Sequence, residues 1–98
     1  MNLGNALQKV RFEKKMTQTA VSKKAKITQT YLSLIEKGDK IPSSAVVKKL
    51  CKVYDIPEVA LVWLGTEKTD VQKSKHNLFD QLKPVMDSLV AELLITKK

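Results

Sequence analysis

Apolar residues recur three and four apart along most of this 98-residue chain, and strand-type alternation is scarce, so the pattern predicts an all-α protein. Leu3, Leu7 and Val10 define a first helix over about residues 2–14, with Phe12 off its stripe. Thr17 suits the N-cap of a second helix, about 18–25, whose inward positions are Val21 and Ala25. After the short segment "KIT", Thr28 can cap a third helix that runs to about Lys37 and stops at Gly38. "IPSSAVVKKLCKVYD" sets a proline and serines ahead of Val46, Val47, Leu50, Cys51 and Tyr54 on one face, which predicts a fourth helix. Pro57 fits the first turn of a fifth, "PEVALVWLG", apolar nearly all round and expected to close the core.

The pattern then breaks. "TEKTDVQKSK", residues 66–75, has many charges and no apolar periodicity, and reads as a linker. Beyond it Phe79, Leu82, Met86, Leu89 and Leu93 are spaced 3, 4, 3, 4 like the seam of a coiled coil, and Leu78, Val85, Val90 and Leu94 widen the stripe. Pro84 leaves open one kinked helix or two. The expected organisation is a five-helix domain over 1–65, a linker over 66–75 and a C-terminal amphipathic helical segment over 76–98. Because the five-helix unit already has a core, the stripe from Phe79 to Leu93 needs a second surface. A second copy of the chain is the expected one, so these residues are assigned to dimerisation; the alternative is a sixth helix folded back on its own domain.

The third helix raises a separate question, since it opens on Thr28, Gln29 and Thr30. At about 100° per residue, Tyr31, Leu32 and Ile35 share one side while Gln29, Thr30, Ser33 and Lys37 lie opposite, with Leu34 at the margin. Short hydrogen-bonding groups plus one cation are small enough to let a helix enter the DNA major groove and long enough to touch base edges. Gln can pair bidentately with adenine, and Thr offers a hydroxyl and a methyl group.

Charge points the same way. The net charge is +8, and residues 1–40 carry nine Lys/Arg against three acids. A basic half suits a polyanion, because neutralising phosphates releases counterions. Cys51 is the only cysteine, so no intrachain disulfide or cysteine-built metal site is available, and a reducing, cytoplasmic setting is expected. The longest apolar run, residues 59–64, is too short to span a bilayer. His76 is the only histidine, no Ser-His-acid set can be drawn and the three glycines form no phosphate loop, so neither an enzyme nor a cofactor is expected.

Residues 4–38, "GNALQKVRFEKKMTQTAVSKKAKITQTYLSLIEKG", resemble the helix-turn-helix domain of the lambda repressor and Cro-like (XRE) family. The shared elements are Gly4, Leu7, Val10-Arg11, Thr17-Gln18, Val21-Ser22, the turn at Lys26, Thr28-Gln29-Thr30 and Ile35-Glu36-Lys37-Gly38. Similarity continues through "IPSSAVVKKLCKVYDI" and "VWLGT", about two thirds of the chain. The family commonly has glycine where this chain has Lys15 and Lys26, and alanine where it has Ser22.

The resemblance implies a five-helix lambda repressor-like domain that binds duplex DNA through the helix at 28–37. It implies that Gln18 meets a phosphate at the start of the second helix, that Gln29 and Thr30 touch bases with Ser33 and Leu34 further along the groove, and that Lys37, Lys40 and Ser43 grip the backbone; Thr28, which opens the recognition helix, belongs to the same contact set. Arg11 and Glu36 look like the family's partly buried structural ion pair. The expected function is a transcriptional regulator, a repressor by preference, reading an inverted-repeat operator as a homodimer. The alternative is an antitoxin or bridging module whose C-terminal helix binds another protein, such as a toxin or antirepressor.

Overall fold

The computed structural model describes residues 1–95, so the last three residues of the expected C-terminal segment, 96–98, lie outside the described residues. The fold is all-α: α1 Leu3–Glu13, α2 Gln18–Ala25, α3 Gln29–Lys37, α4 Ser44–Tyr54, α5 Glu58–Gly65 and α6 His76–Ile95. Each of the first four helices starts where a short polar side chain takes an orphan backbone N–H. Asn2 accepts from the Asn5 amide, Thr17 from Ala20, Thr28 from Tyr31 and Ser43 from Val46, at 3.0 to 3.2 Å.

The core is the meeting of single faces: Ala6, Leu7 and Val10 of α1, Val21 and Ala25 of α2, Leu32 and Ile35 of α3, Leu50, Cys51 and Tyr54 of α4, and Ala60 and Leu61 of α5. Gly4 sets how closely α1 and α3 approach, because a Cβ there would stand 3.0 Å from the Glu36 carbonyl oxygen. Although α5 is apolar nearly all round, it buries Ala60, Leu61 and Gly65 and leaves Val59 and Val62 exposed. Trp63 and Leu64, between these faces, are half-buried.

Turns end three helices in left-handed geometry. Lys26 (φ 59°), Asp55 (φ 57°) and Gly38 (φ 88°) cap α2, α4 and α3, and Lys15 (φ 57°) follows α1. Only glycine enters this region without steric cost, which is about 1–2 kcal/mol for an L side chain. The lysines therefore hold the turn geometry rather than changing it. Lys26→Gly should accordingly raise stability by about 1 kcal/mol, a rise in melting midpoint of roughly 4–8 °C read by circular dichroism. An unchanged or lower midpoint would show that the turn is not strained by its side chain. Ser22, at a tightly packed position, is accommodated by donating to the Thr19 carbonyl at 3.0 Å.

Residues 66–75, expected as a linker, have local structure of their own. They form two short 3-10 turns, Lys68–Asp70 and Lys73–Lys75, the first with a reciprocal capping box between Glu67 and Asp70. Lys68 pairs with Asp80 at 3.0 Å, which ties the turn to α6. The charges that break apolar periodicity are the groups that fasten the segment.

The C-terminal helix runs unbroken from His76 to Ile95 through the exposed Pro84, whose missing N–H costs one helical bond without ending the helix. It lies on α5 and α1. Phe79, Val90 and Leu94 are buried, and the Phe79 ring stacks at 5.5 Å from that of Trp63. The Trp63 indole N–H donates to Asp87 at 2.9 Å beside Lys83 at 2.8 Å. Lys83, then Trp63, hold the Asp87 carboxyl below the usual carboxylate range. Phe79, expected among the dimerisation residues, is buried within its own chain beside Trp63. The stripe divides by face: Leu82, Leu89 and Leu93 are exposed and Met86 is half-buried.

Candidate nucleic-acid interface

The first residues of two helices meet at the polar site. The α2–α3 turn brings the first residue of α2, Gln18, beside the first residue of α3, Gln29, and Gln29 Nε2 donates to Gln18 Oε1 at 2.9 Å. Gln18 Nε2 in turn donates to Glu36 Oε1 at 3.0 Å. Glu36, the penultimate residue of α3, receives Arg11 Nε at 2.8 Å and Nη2 at 2.9 Å, a bidentate pair. Arg11 Nη1 also donates to the Met16 carbonyl at 3.1 Å. A continuous line of hydrogen bonds therefore runs from a buried ion pair to an exposed amide.

The pair is deep enough to act as a fixed anchor. Only 10% of the Arg11 side chain and 1% of the Glu36 side chain is exposed. The Glu36 carboxylate, which it bonds, pushes the Arg11 guanidinium further up, so its charge is permanent. The Tyr54 hydroxyl lies nearby, with no hydrogen-bond partner among the described residues. Burial, helped by Glu36, pushes its pKa up and keeps it neutral.

Gln29 is left with what adenine needs. One N–H of its amide goes to Gln18; the second N–H and the carbonyl oxygen remain, one donor and one acceptor to set against N7 and N6 of the base. Thr30 and Lys37 are exposed on the same side of α3, and Ser33 and Leu34 are half-buried. Lys40 is exposed two residues past the Gly38 cap, and the Lys40 backbone N–H donates to the Leu34 carbonyl at 3.2 Å. Thr28 and Ser43 have a structural task besides any contact, because their side-chain oxygens cap α3 and α4.

By sequence, Gln18 at a phosphate and Arg11–Glu36 as a structural pair are separate features. The network that joins them was not visible, since its members are 11 to 25 residues apart and only helix packing makes them neighbours. The basic excess is also less concentrated than the count suggests. Lys24, Lys26, Lys49 and Lys52 line a shallow concavity at the C-terminal ends of α2 and α4, about 12 Å along α2 from Gln18.

Among the described residues no helix is long and apolar enough to cross a membrane, and no His, Cys, Asp and Glu cluster could hold a metal. A family model described as helix-turn-helix matches residues 7–61, more than half of the chain. No curated protein and no solved structure matches.

Proposed function

This chain belongs to the helix-turn-helix family of lambda repressor and Cro-like proteins, a family of DNA-binding regulators, and from that premise we propose that it reads an inverted-repeat operator as a homodimer, with α3 in the major groove. The observation that carries this reading is the bond from Gln29 through Gln18 to the Arg11–Glu36 pair. A long amide on a free helix face would lose rotamer freedom on meeting a base; here that freedom is already spent in the unbound protein, so more of the contact energy appears as affinity and discrimination.

The remaining roles follow from position. Thr30 and Ser33 extend the base-reading face, and Leu34 offers an apolar edge to a thymine methyl. Lys37 and Lys40 meet phosphates, and the exposed N-terminus of α2 at Gln18 presents backbone N–H groups to another. One recognition helix covers only a few base pairs, so sequence selection requires two, about 34 Å apart on a two-fold axis. Residues 76–95 supply the joining element, and 1–65 the reading head. Repression by occupancy is the assigned mode, since it asks nothing of the protein beyond sited binding.

Gln29→Ala tests the assignment. Binding to the preferred site should weaken by about 1–3 kcal/mol, and the consensus selected from randomised duplexes should relax at one or two base pairs. An unchanged consensus and affinity would remove Gln29 from the reading face. One observation favours a second reading, the antitoxin or bridging module: α6 keeps an exposed apolar side that a different protein chain could cover.

A further inference from the structure

The side of α6 not packed on the core has a symmetry in its spacing. Leu78, Leu82, Val85, Leu89 and Leu93 are 52%, 47%, 57%, 57% and 38% exposed. At about 100° per residue they fall in one arc about 80° wide, and the buried Phe79, Val90 and Leu94 fill the next arc. The helix is anchored on one face and bare on its neighbour, with the half-buried Met86 between. Read from either end, the bare stripe is the same about a point midway between Val85 and Met86: Leu78 answers Leu93, Leu82 answers Leu89, and Val85 answers Met86.

We propose that α6 pairs antiparallel with α6 of a second copy, about a two-fold axis that passes between Val85 and Met86. This rests on the dimeric reading above and fixes its surface and direction. An isologous contact needs a patch complementary to itself, which the stripe is. The helix dipoles select the direction. In a parallel pair the two helix dipoles would lie alike, whereas the antiparallel pair opposes them favourably and sets Leu78 on Leu93, Leu82 on Leu89 and Val85 on Met86, as the symmetry of the stripe requires.

Area sets the strength. About 22 Å of helix, about 10 Å across, offers a few hundred Å² per protomer, below the roughly 800 Å² of a standard interface. The free chain therefore dimerises in the micromolar range, and paired half-sites on DNA complete the assembly by raising the effective concentration.

Sedimentation equilibrium on the full chain tests the surface. Leu82→Glu/Leu89→Glu alters exposed positions, so it should keep the wild-type melting midpoint while its dimer dissociation constant rises by about 100-fold or more. Val59→Glu/Val62→Glu, on the competing exposed patch of α5, should leave that constant within about threefold. Direction is read by oxidative cross-linking, with the buried Cys51 as a silent background. Val85→Cys should link to itself, and Leu78→Cys should link to Leu93→Cys only when the two variants are mixed. Self-linking of Leu78→Cys and of Leu93→Cys would mean a parallel pair and overturn the proposal. If the α5 variant becomes monomeric and the α6 variant does not, the proposal fails while the dimeric reading stands; a wild-type chain that stays monomeric at high micromolar concentration defeats both.

Discussion

Raising the salt from about 50 to about 200 mM should lower operator affinity by about 10³ to 10⁵, the loss expected when a dimer makes roughly 6 to 10 phosphate contacts. The loss follows from where the fixed cations sit. Lys37 and Lys40 are exposed at the C-terminal end of the recognition helix and just beyond it, and Gln18, bonded to Gln29 of that helix, opens α2. Each phosphate met releases about 0.9 counterions, so affinity falls linearly on a log-log plot of binding against salt. Lys37→Ala should therefore weaken all duplexes alike and reduce the slope by about 1 per protomer, whereas Gln29→Ala should change sequence preference with the slope intact. Fluorescence anisotropy on labelled duplexes measures both. A flat profile would mean that phosphates do not drive binding, and the DNA reading would fall with it.

Arg11→Met should destabilise the fold by about 3–5 kcal/mol, a large part of the roughly 5–15 kcal/mol that holds a domain of this size. The mechanism is the charge left behind. Glu36 loses both guanidinium bonds and keeps only the Gln18 amide, inside packing that exposes 1% of its side chain. Met fills the volume of the arginine stem, so the loss reads charge and hydrogen bonding rather than a cavity. Removing both partners, Arg11→Met with Glu36→Leu, should recover much of the stability, because no buried charge then lacks a partner. The two variants part at the reading head: even where stability returns, Gln18 has lost its acceptor and Gln29 its fixed partner, so operator affinity should remain reduced. Urea unfolding followed by the fluorescence of Trp63, the only tryptophan, gives the first quantity and duplex binding the second. A single variant as stable as wild type would show that the pair is not the anchor.

The two experiments also separate what each part of the network does. The salt series reads the exposed cations, which act at a distance and indifferently to base sequence. The Arg11 series reads the buried end of the line, which touches no DNA in this assignment and acts through Gln18 and Gln29.

What the sequence determined by itself was local. Helix positions followed from apolar periodicity and from caps, because Thr17, Thr28 and Ser43 satisfy amides within their own first turns and need no distant partner. The polar face of α3 was legible for the same reason, since residues three and four apart share a side of any helix. Tertiary structure decided the rest. Lys15, between α1 and α2, and Lys26, between α2 and α3, adopt left-handed geometry against the preference of a lysine, because the helices on either side of each turn are held by the core. Gln18, expected at a phosphate, also bridges Glu36 and Gln29, a role that exists only once helices remote in sequence pack together. The apolar stripe of α6 was read as one surface, yet it is two: an α-helix more than half covered in apolar residues can lay one arc on its own core and still present another, and only the position of Trp63 against Phe79 decided which arc was which.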